Sequence, residues 1–313
     1  MPSAPLHFTN PLVRYHADPW IYKHTDGTYY FTATLSEADR IEIRRASTIH
    51  ELSAAPSAIV WNQHASGPMS ANIWAPELHY IQGKWYIYFA AAQVDAPLEH
   101  RMYVLENPSV NPLAPSWNER GPIQTTWDSF AIDATTFEHH GTRYLVWAQK
   151  DPAIDSTTNL YIAPMGNPWT LSGPQVLLSK PDYGWEQDGL WVNEGPAVIK
   201  RNGKIFISYS ASATFANYCL GLLTATDQSD LLDPVSWSKA PTPIFQGSGM
   251  PGRTAPGHNS FTVSSDGTQD ILVYHAREIP SRGSDTLCNL NRHTRLQVFS
   301  WHSNGTPHFG VPI

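Results

Sequence analysis

The sequence is short of cysteine, of charge and of long apolar runs, and each shortage removes a class of protein. Two cysteines, Cys219 and Cys288, are too few for a disulfide framework or a cysteine-based zinc site. One disulfide and two buried thiols both fit that number. Charged residues are only 15% of the 313, with a net charge of −7 and no basic run longer than Arg44-Arg45. Nucleic-acid binding depends on clustered Lys and Arg, so no nucleic-acid partner is expected. No apolar stretch reaches the roughly 18 residues of a membrane helix, so no membrane partner is expected either. The opening Met1-Pro2-Ser3-Ala4-Pro5 has neither the basic nor the apolar segment of a secretory leader. Two locations stay open: cytoplasmic, or secreted with the signal removed. Catalytic zinc and serine-hydrolase signatures are missing too, since the 14 His include no His-x-x-x-His pair and no Gly-x-Ser-x-Gly occurs.

What the chain has in quantity is aromatic side chains and turn formers: 12 Trp, 14 Tyr, 11 Phe, 26 Pro and 20 Gly. Aromatic residues pack well on pleated sheets, and their ring faces also stack on sugars. The scatter of Pro and Gly favours many short strands over long helices, and no long window shows a 3.6-residue period. Five segments share one template, an apolar run, a turn and an aromatic-rich strand. They are Asp18–Tyr30, Ala75–Tyr86, Asp133–Tyr144, Glu194–Phe206 and His258–Ile271. Each turn carries a glycine: Gly27, Gly83, Gly141, Gly203 and Gly267. The intervals between successive glycines run from 56 to 64 residues. Asp26-Gly27, Asn202-Gly203 and Asp266-Gly267 are dipeptides of two-residue hairpins. A unit of about sixty residues holds roughly four strands, and radial stacking of such units makes a propeller. The expected fold is all-β, a five-bladed β-propeller occupying residues 1–313 as a single catalytic domain. A sandwich gives no reason for a fifth repeat at constant spacing.

The repeat predicts which residues meet. First strands of propeller blades line the central channel, so Asp18, Ala75, Asp133, Glu194 and His258 should converge on one mouth. Three carboxylates in one desolvated ring repel one another, and at least one pKa must rise. Glycoside hydrolysis uses such a set: a protonated acid for the leaving oxygen and an ionised carboxylate on the other side.

His16-Ala17-Asp18-Pro19, Ile73-Trp74-Ala75-Pro76-Glu77, Ala131-Ile132-Asp133 and Asn193-Glu194-Gly195-Pro196 together resemble glycoside hydrolase family 43. The similarity runs from about Asn10 to the C-terminus and is nearest the branch of exo-acting α-L-arabinofuranosidases on 1,5-linked arabinan. The resemblance implies that Asp18 is the general base, that Asp133 positions substrate and raises the acid's pKa, and that Glu194 is the general acid of an inverting mechanism. Base and acid should then stand roughly 6.5–9.5 Å apart. It also implies that Trp74 faces the terminal sugar, a buried core position being the other reading. His258 would either ligate a structural calcium on the axis or tune the acid. Arg292 would contact substrate and carboxylates, with Arg295 competing for that place.

No organic cofactor and no catalytic metal are expected, and any calcium would be structural. The expected partner is arabinan or arabinose-containing oligosaccharide, acted on by a monomer. β-Xylosidase and endo-arabinanase are the alternatives within the family. Many xylosidases of the family carry a further C-terminal β-sandwich, and the chain's end at Ile313 counts against that reading. From another class comes a non-catalytic carbohydrate-binding propeller, which need not keep all three acids.

Overall fold

The computed structural model describes residues 6, 8–214, 217–278 and 291–313. Its strands form five antiparallel sheets that follow one another along the chain. Blade one holds β1 (His16–Lys23), β2 (Tyr29–Leu35), β3 (Arg40–Ala46) and β4 (Ser57–Asn62). Blade two holds β5 (Ala71–Ile81), β6 (Lys84–Gln93), β7 (Ala96–Asn107) and β8 (Asn118–Pro122). Blade three holds β9 (Ala131–His139), β10 (Thr142–Gln149) and β11 (Asn159–Asn167), with the short outer strands β12 (Thr170–Leu171) and β13 (Val176–Ser179). Blade four holds β14 (Asn193–Arg201), β15 (Lys204–Ala211) and β16 (Cys219–Thr226), edged by β17 (Ser238–Lys239) and β18 (Phe245–Gln246). Blade five holds β19 (Thr254–Val263), β20 (Asp270–Arg277), β21 (His293–Trp301) and β22 (Pro307–His308). Among the described residues the only helices are three single 3₁₀ turns.

The first strands touch in a closed cycle, β1 to β5, β5 to β9, β9 to β14, β14 to β19 and β19 back to β1. The chain is a five-bladed β-propeller, as the repeat predicted. The five hairpin glycines all have positive φ, from 69° at Gly203 to 87° at Gly27, which is why glycine recurs there. The segment ahead of β1 helps to shut the ring: Val13 bridges Thr294 of blade five, and the Leu12 N–H donates to the Thr294 carbonyl.

Each blade buries its faces only against its neighbours. Ile41 and Ile43 of blade one meet Ile87 and Phe89 of blade two, and Tyr88 and Val104 meet Leu145 and Trp147 of blade three. Val146 and Leu160 then meet Ile207 and Leu223 of blade four, and Leu220 and Phe245 meet Tyr274 and Phe299 of blade five. Val273 and Leu296 return to Ile21 and Phe31. Truncating any one of these side chains to Ala costs about 2–5 kcal/mol. The interfaces therefore act as five rigid seams around the axis.

The same irregularity interrupts every first strand. A bulge begins at Asp18, Ala75, Asp133, Gly195 and His258, and all five have left-handed backbone, with φ from 42° to 60°. Four of them are not glycine, and that conformation is strained for a residue with a Cβ. Bulges re-aim side chains, and here they turn them to the channel mouth. In blade four the bulge starts at Gly195, so Glu194 lies one residue earlier than the repeat alignment put it. A Cβ on Gly195 would come within 3.1 Å of the His258 ring.

Candidate active site

The bulges need something to hold them, and the second strands provide it. The residue just before each bulge pairs with Thr34, Ala90, Ala148, Ser210 or His275. Thr34 Oγ1 accepts the Ala75 N–H of the next blade at 2.7 Å. Ser210 Oγ accepts the His258 N–H at 2.7 Å, and His275 Nδ1 accepts the Asp18 N–H at 3.1 Å. Ala90 and Ala148 hold the same place in blades two and three and have no acceptor. The Gly195 N–H, beyond Ala148, is taken instead by Asp133 Oδ2 at 2.9 Å.

Asp18 is 8% exposed, and its carboxylate is fully engaged. Thr34 Oγ1 donates to Oδ2 at 2.7 Å and Arg292 Nη1 to Oδ1 at 3.2 Å. His258 Nδ1 lies 3.4 Å and His275 Nδ1 3.3 Å from Oδ1. Nδ1 of His275 cannot accept from the Asp18 amide and donate to Oδ1 at once. Burial lowers the pKa of His275 to about 4, so it is neutral, with Nδ1 the acceptor. Burial alone would raise the pKa of Asp18, but the Arg292 guanidinium, the strongest of the groups opposing it, holds the carboxyl well below 3.8.

Asp133 and Glu194 go the other way. Burial, Glu194 and Asp18 push Asp133 well above 3.8. Burial, with the Asp18 charge, lifts Glu194 to about 7, although the Tyr218 hydroxyl donating to Oε1 at 2.7 Å works against the rise. Both acids are thus shifted towards the protonated form, and their titration belongs to the pair. His258 Nδ1 is 3.4 Å from Asp18 and 3.9 Å from Asp133 Oδ2, so those two carboxylates are no further apart than these distances laid end to end.

A cavity of about 660 Å³ opens over them. Asp18, Trp74, Asp133, Glu194, His258 and Arg292, the six residues singled out from the sequence, all line it. Trp74 stacks on His100, with centroids 3.8 Å apart and planes 19° from parallel, and its other contacts are with the core between blades three and four. Arg295 is elsewhere, donating to the Ile313 carbonyl at 3.1 Å. Phe130, Tyr218 and Trp191 also line the cavity and were not anticipated; Trp191 is 46% exposed at its rim. Only its place in Leu190-Trp191-Val192-Asn193-Glu194 could have pointed to it.

The axial ion finds little here to hold it. Among the described residues no group of three or more His, Cys, Asp or Glu side chains is arranged to bind a metal, and the His258 Nδ1 faces two carboxylates already engaged with Arg292, Thr34 or Gly195. No step below passes through a metal. Cys219 is buried and its thiol is pushed up to about 12 by that burial; Cys288 lies outside the described residues. No described helix is long and apolar enough to cross a membrane.

Comparison with known proteins agrees with this geometry. Over its full length the chain is 54% identical to an extracellular exo-alpha-(1->5)-L-arabinofuranosidase of Streptomyces avermitilis, and it spans 65% of that protein. It is 53% identical over 312 residues to alpha-L-arabinofuranosidase 43 of Humicola insolens, again spanning 65% of it. The crystal structure of alpha-L-arabinofuranosidase from Lactobacillus brevis superposes with a TM-score of 0.95 at 52% identity, covering 98% of this chain and 97% of that one. Since the chain spans about two thirds of the first two relatives, its end at Ile313 carries no weight against the xylosidase reading. The sequence profile of Glycosyl hydrolases family 43 matches residues 8–307, and the chain belongs to that family.

Proposed function

We propose that this protein is an inverting exo-acting glycoside hydrolase that releases terminal α-L-arabinofuranose from 1,5-linked arabinan and its oligosaccharides. The observation that carries the mechanism is the set of three acids lining one cavity, each held differently: Asp18 by Arg292 and Thr34, Asp133 by the Gly195 amide and Glu194 by Tyr218. Asp18 takes a proton from water as the water oxygen attacks the anomeric carbon. Glu194 gives its proton to the departing glycosidic oxygen. Asp133, fixed by the Gly195 N–H, keeps the acid's pKa high and orients the sugar, and Arg292 holds Asp18 ionised and reaches the substrate. Trp74 offers its free face to the terminal ring.

The substrate is inferred from the printed activities of the two relatives and of the Lactobacillus brevis structure. Extracellular action follows from the name of the Streptomyces avermitilis relative. The catalytic residues all come from one chain, so a monomer suffices, and the five blades form one catalytic domain. No cofactor and no catalytic metal are needed, because acid, base and charge stabilisation are all supplied by side chains.

Product analysis tests the proposal. Linear 1,5-arabino-oligosaccharides, an aryl α-L-arabinofuranoside and an aryl β-D-xyloside are incubated with the protein, and the first anomer formed is followed by NMR. Arabinose released singly with inverted configuration is expected. Internal cleavage would make it an endo-arabinanase, faster xyloside turnover a xylosidase, and no product on any of them a binding propeller.

A further inference from the structure

Two aromatic rings outside the acid–base set connect its two ends. Tyr218 donates its hydroxyl to Glu194 Oε1 at 2.7 Å. His275 takes the Asp18 N–H at 3.1 Å and lies 3.3 Å from Asp18 Oδ1. The two rings stack on each other, with centroids 5.7 Å apart and planes 4° from parallel. The arrangement is built in from both sides. The Tyr218 ring fills the space left by Gly257, where any Cβ would collide with it. The Ser210 hydroxyl, which already accepts the His258 N–H, also reaches the Tyr218 oxygen.

We propose that Tyr218 and His275 are positioning residues that act as one unit, their stacked rings fixing the general acid against the general base. The inference rests on the roles given above to Asp18 and Glu194. An inverting enzyme depends on that gap, since water must fit between base and sugar, and misplacement by about 1 Å can cost about a hundredfold. Each ring holds one end: Tyr218 the side chain of Glu194, His275 the backbone of the strained Asp18 bulge. Parallel stacking makes either ring's position depend on the other.

The test is a double-mutant cycle with a conservative control. Tyr218→Ala and His275→Ala should each lower kcat about 10- to 100-fold with KM changed less than about threefold. The double variant should be no slower than the slower single one, because removing either ring already frees the gap. Thermal midpoints for all three exclude collapse of the fold as the cause. Tyr218→Phe keeps the stack and loses only the donor, so its loss should be small and the alkaline limb of its pH profile should move up. Glu194 is faced by Asp133 from β9, Asp18 from β1, Arg292 and Tyr218, and of these only Tyr218 changes. Carboxyl-¹³C titration of glutamate-labelled protein reads the same shift without turnover, with the Glu194 signal assigned by its loss in Glu194→Gln. Losses that multiply in the double variant, or a Glu194 titration unmoved in Tyr218→Phe, would overturn the proposal. Failure to release arabinose would sink the functional reading alone, because the carboxyl titration still decides this one.

Discussion

Blades five and one treat a buried carboxylate quite differently from blades three and four. Around Asp18 the neighbouring inner strands present Thr34 and His275, and Arg292 comes within 3.2 Å. The equivalent inner positions are Ala90 and Ala148 around Asp133 and Ala148 and Ser210 around Glu194, and the wall is Ile132, Phe130, Val192 and Trp74. Burial penalises charge in both halves. At Asp18 the Arg292 guanidinium and the Thr34 hydroxyl donate directly and overcome it; at Asp133 and Glu194 the Gly195 amide, the Tyr218 hydroxyl and Arg292 oppose it without overcoming it. The contrast teaches that a near-symmetric scaffold can separate base from acid through what the second strands carry. The bulges and their left-handed backbone are common to all five blades.

Removing either end should have the largest effect and separate the halves. Asp18→Ala should lose about 10²–10⁴ in kcat whatever the leaving group, since water must always be activated. Glu194→Ala should lose as much on arabino-oligosaccharides and far less on an aryl arabinofuranoside with an acidic phenol. Equal sensitivity to leaving-group acidity in the two variants would abolish the distinction. Next comes Arg292→Met, which should cost about 10- to 100-fold in kcat/KM, the range of a charge-assisted hydrogen bond. In the unsubstituted protein kcat/KM should fall as pH rises through about 7, where Glu194 loses its proton. Arg292 depresses all three acids, so without it both limbs of the pH profile should move up together. A shift of one limb alone would mean that Arg292 serves only one half. Stability carries the same opposition. Asp18 contributes above its unfolded value of 3.8 and loses that contribution as pH falls through its folded pKa. Glu194 does the reverse: from 4.5 upward to about 7 unfolding sets its carboxylate free, so stability declines as pH climbs through that window.

A smaller effect should come from making blade three resemble its neighbours. Ala148→Ser places a hydroxyl where Thr34 and Ser210 have theirs, within reach of the Gly195 N–H. If it captures that donor, Asp133 loses the bond that partly stabilises its charge, and the acid limb's partner pKa rises further. The expected loss in kcat is about tenfold or less, the worth of one hydrogen bond. An unchanged pH profile would show that Asp133 keeps the Gly195 amide against competition.

Much of this was legible in the sequence because it depends on short-range chemistry. The hairpin glycines are dictated by positive φ within two residues, and their spacing carried the blade count. The three acids each stand in a motif that marks a first strand, and Arg292 stands just ahead of β21, the third strand of blade five. Thr34, His275 and Tyr218 were not legible, because their roles depend on which residue lies opposite a bulge, and a bulge shifts the register by one. The same shift put Glu194 out of step with Asp18. A glycine at 195 fits the His258 ring lying against it, a contact between residues 63 positions apart.

The smallest expected effect belongs to another buried acid, Glu77 of blade two, which lies outside the cavity. It is 6% exposed and its Oε2 is 2.9 Å from His79 Nε2. Proximity alone suggests an ion pair, but the two groups shift in directions that forbid one. Burial, with the Asp133 charge, raises Glu77 well above 4.5 despite the Thr135 hydroxyl beside it. Burial lowers His79 to about 3. The contact is then a neutral carboxylic acid donating to a neutral imidazole, with Trp20 covering the ring at 4.7 Å. Glu77→Gln keeps shape and donor, so turnover should be unchanged and the thermal midpoint nearly so at pH 5. In the native protein unfolding lets Glu77 ionise above about 4.5, which costs stability as pH rises; glutamine has no such term. The midpoint of Glu77→Gln relative to the unsubstituted protein should therefore climb steadily between pH 5 and 8. A true ion pair predicts the opposite, a variant less stable throughout, because a buried charge on His79 would have lost its partner.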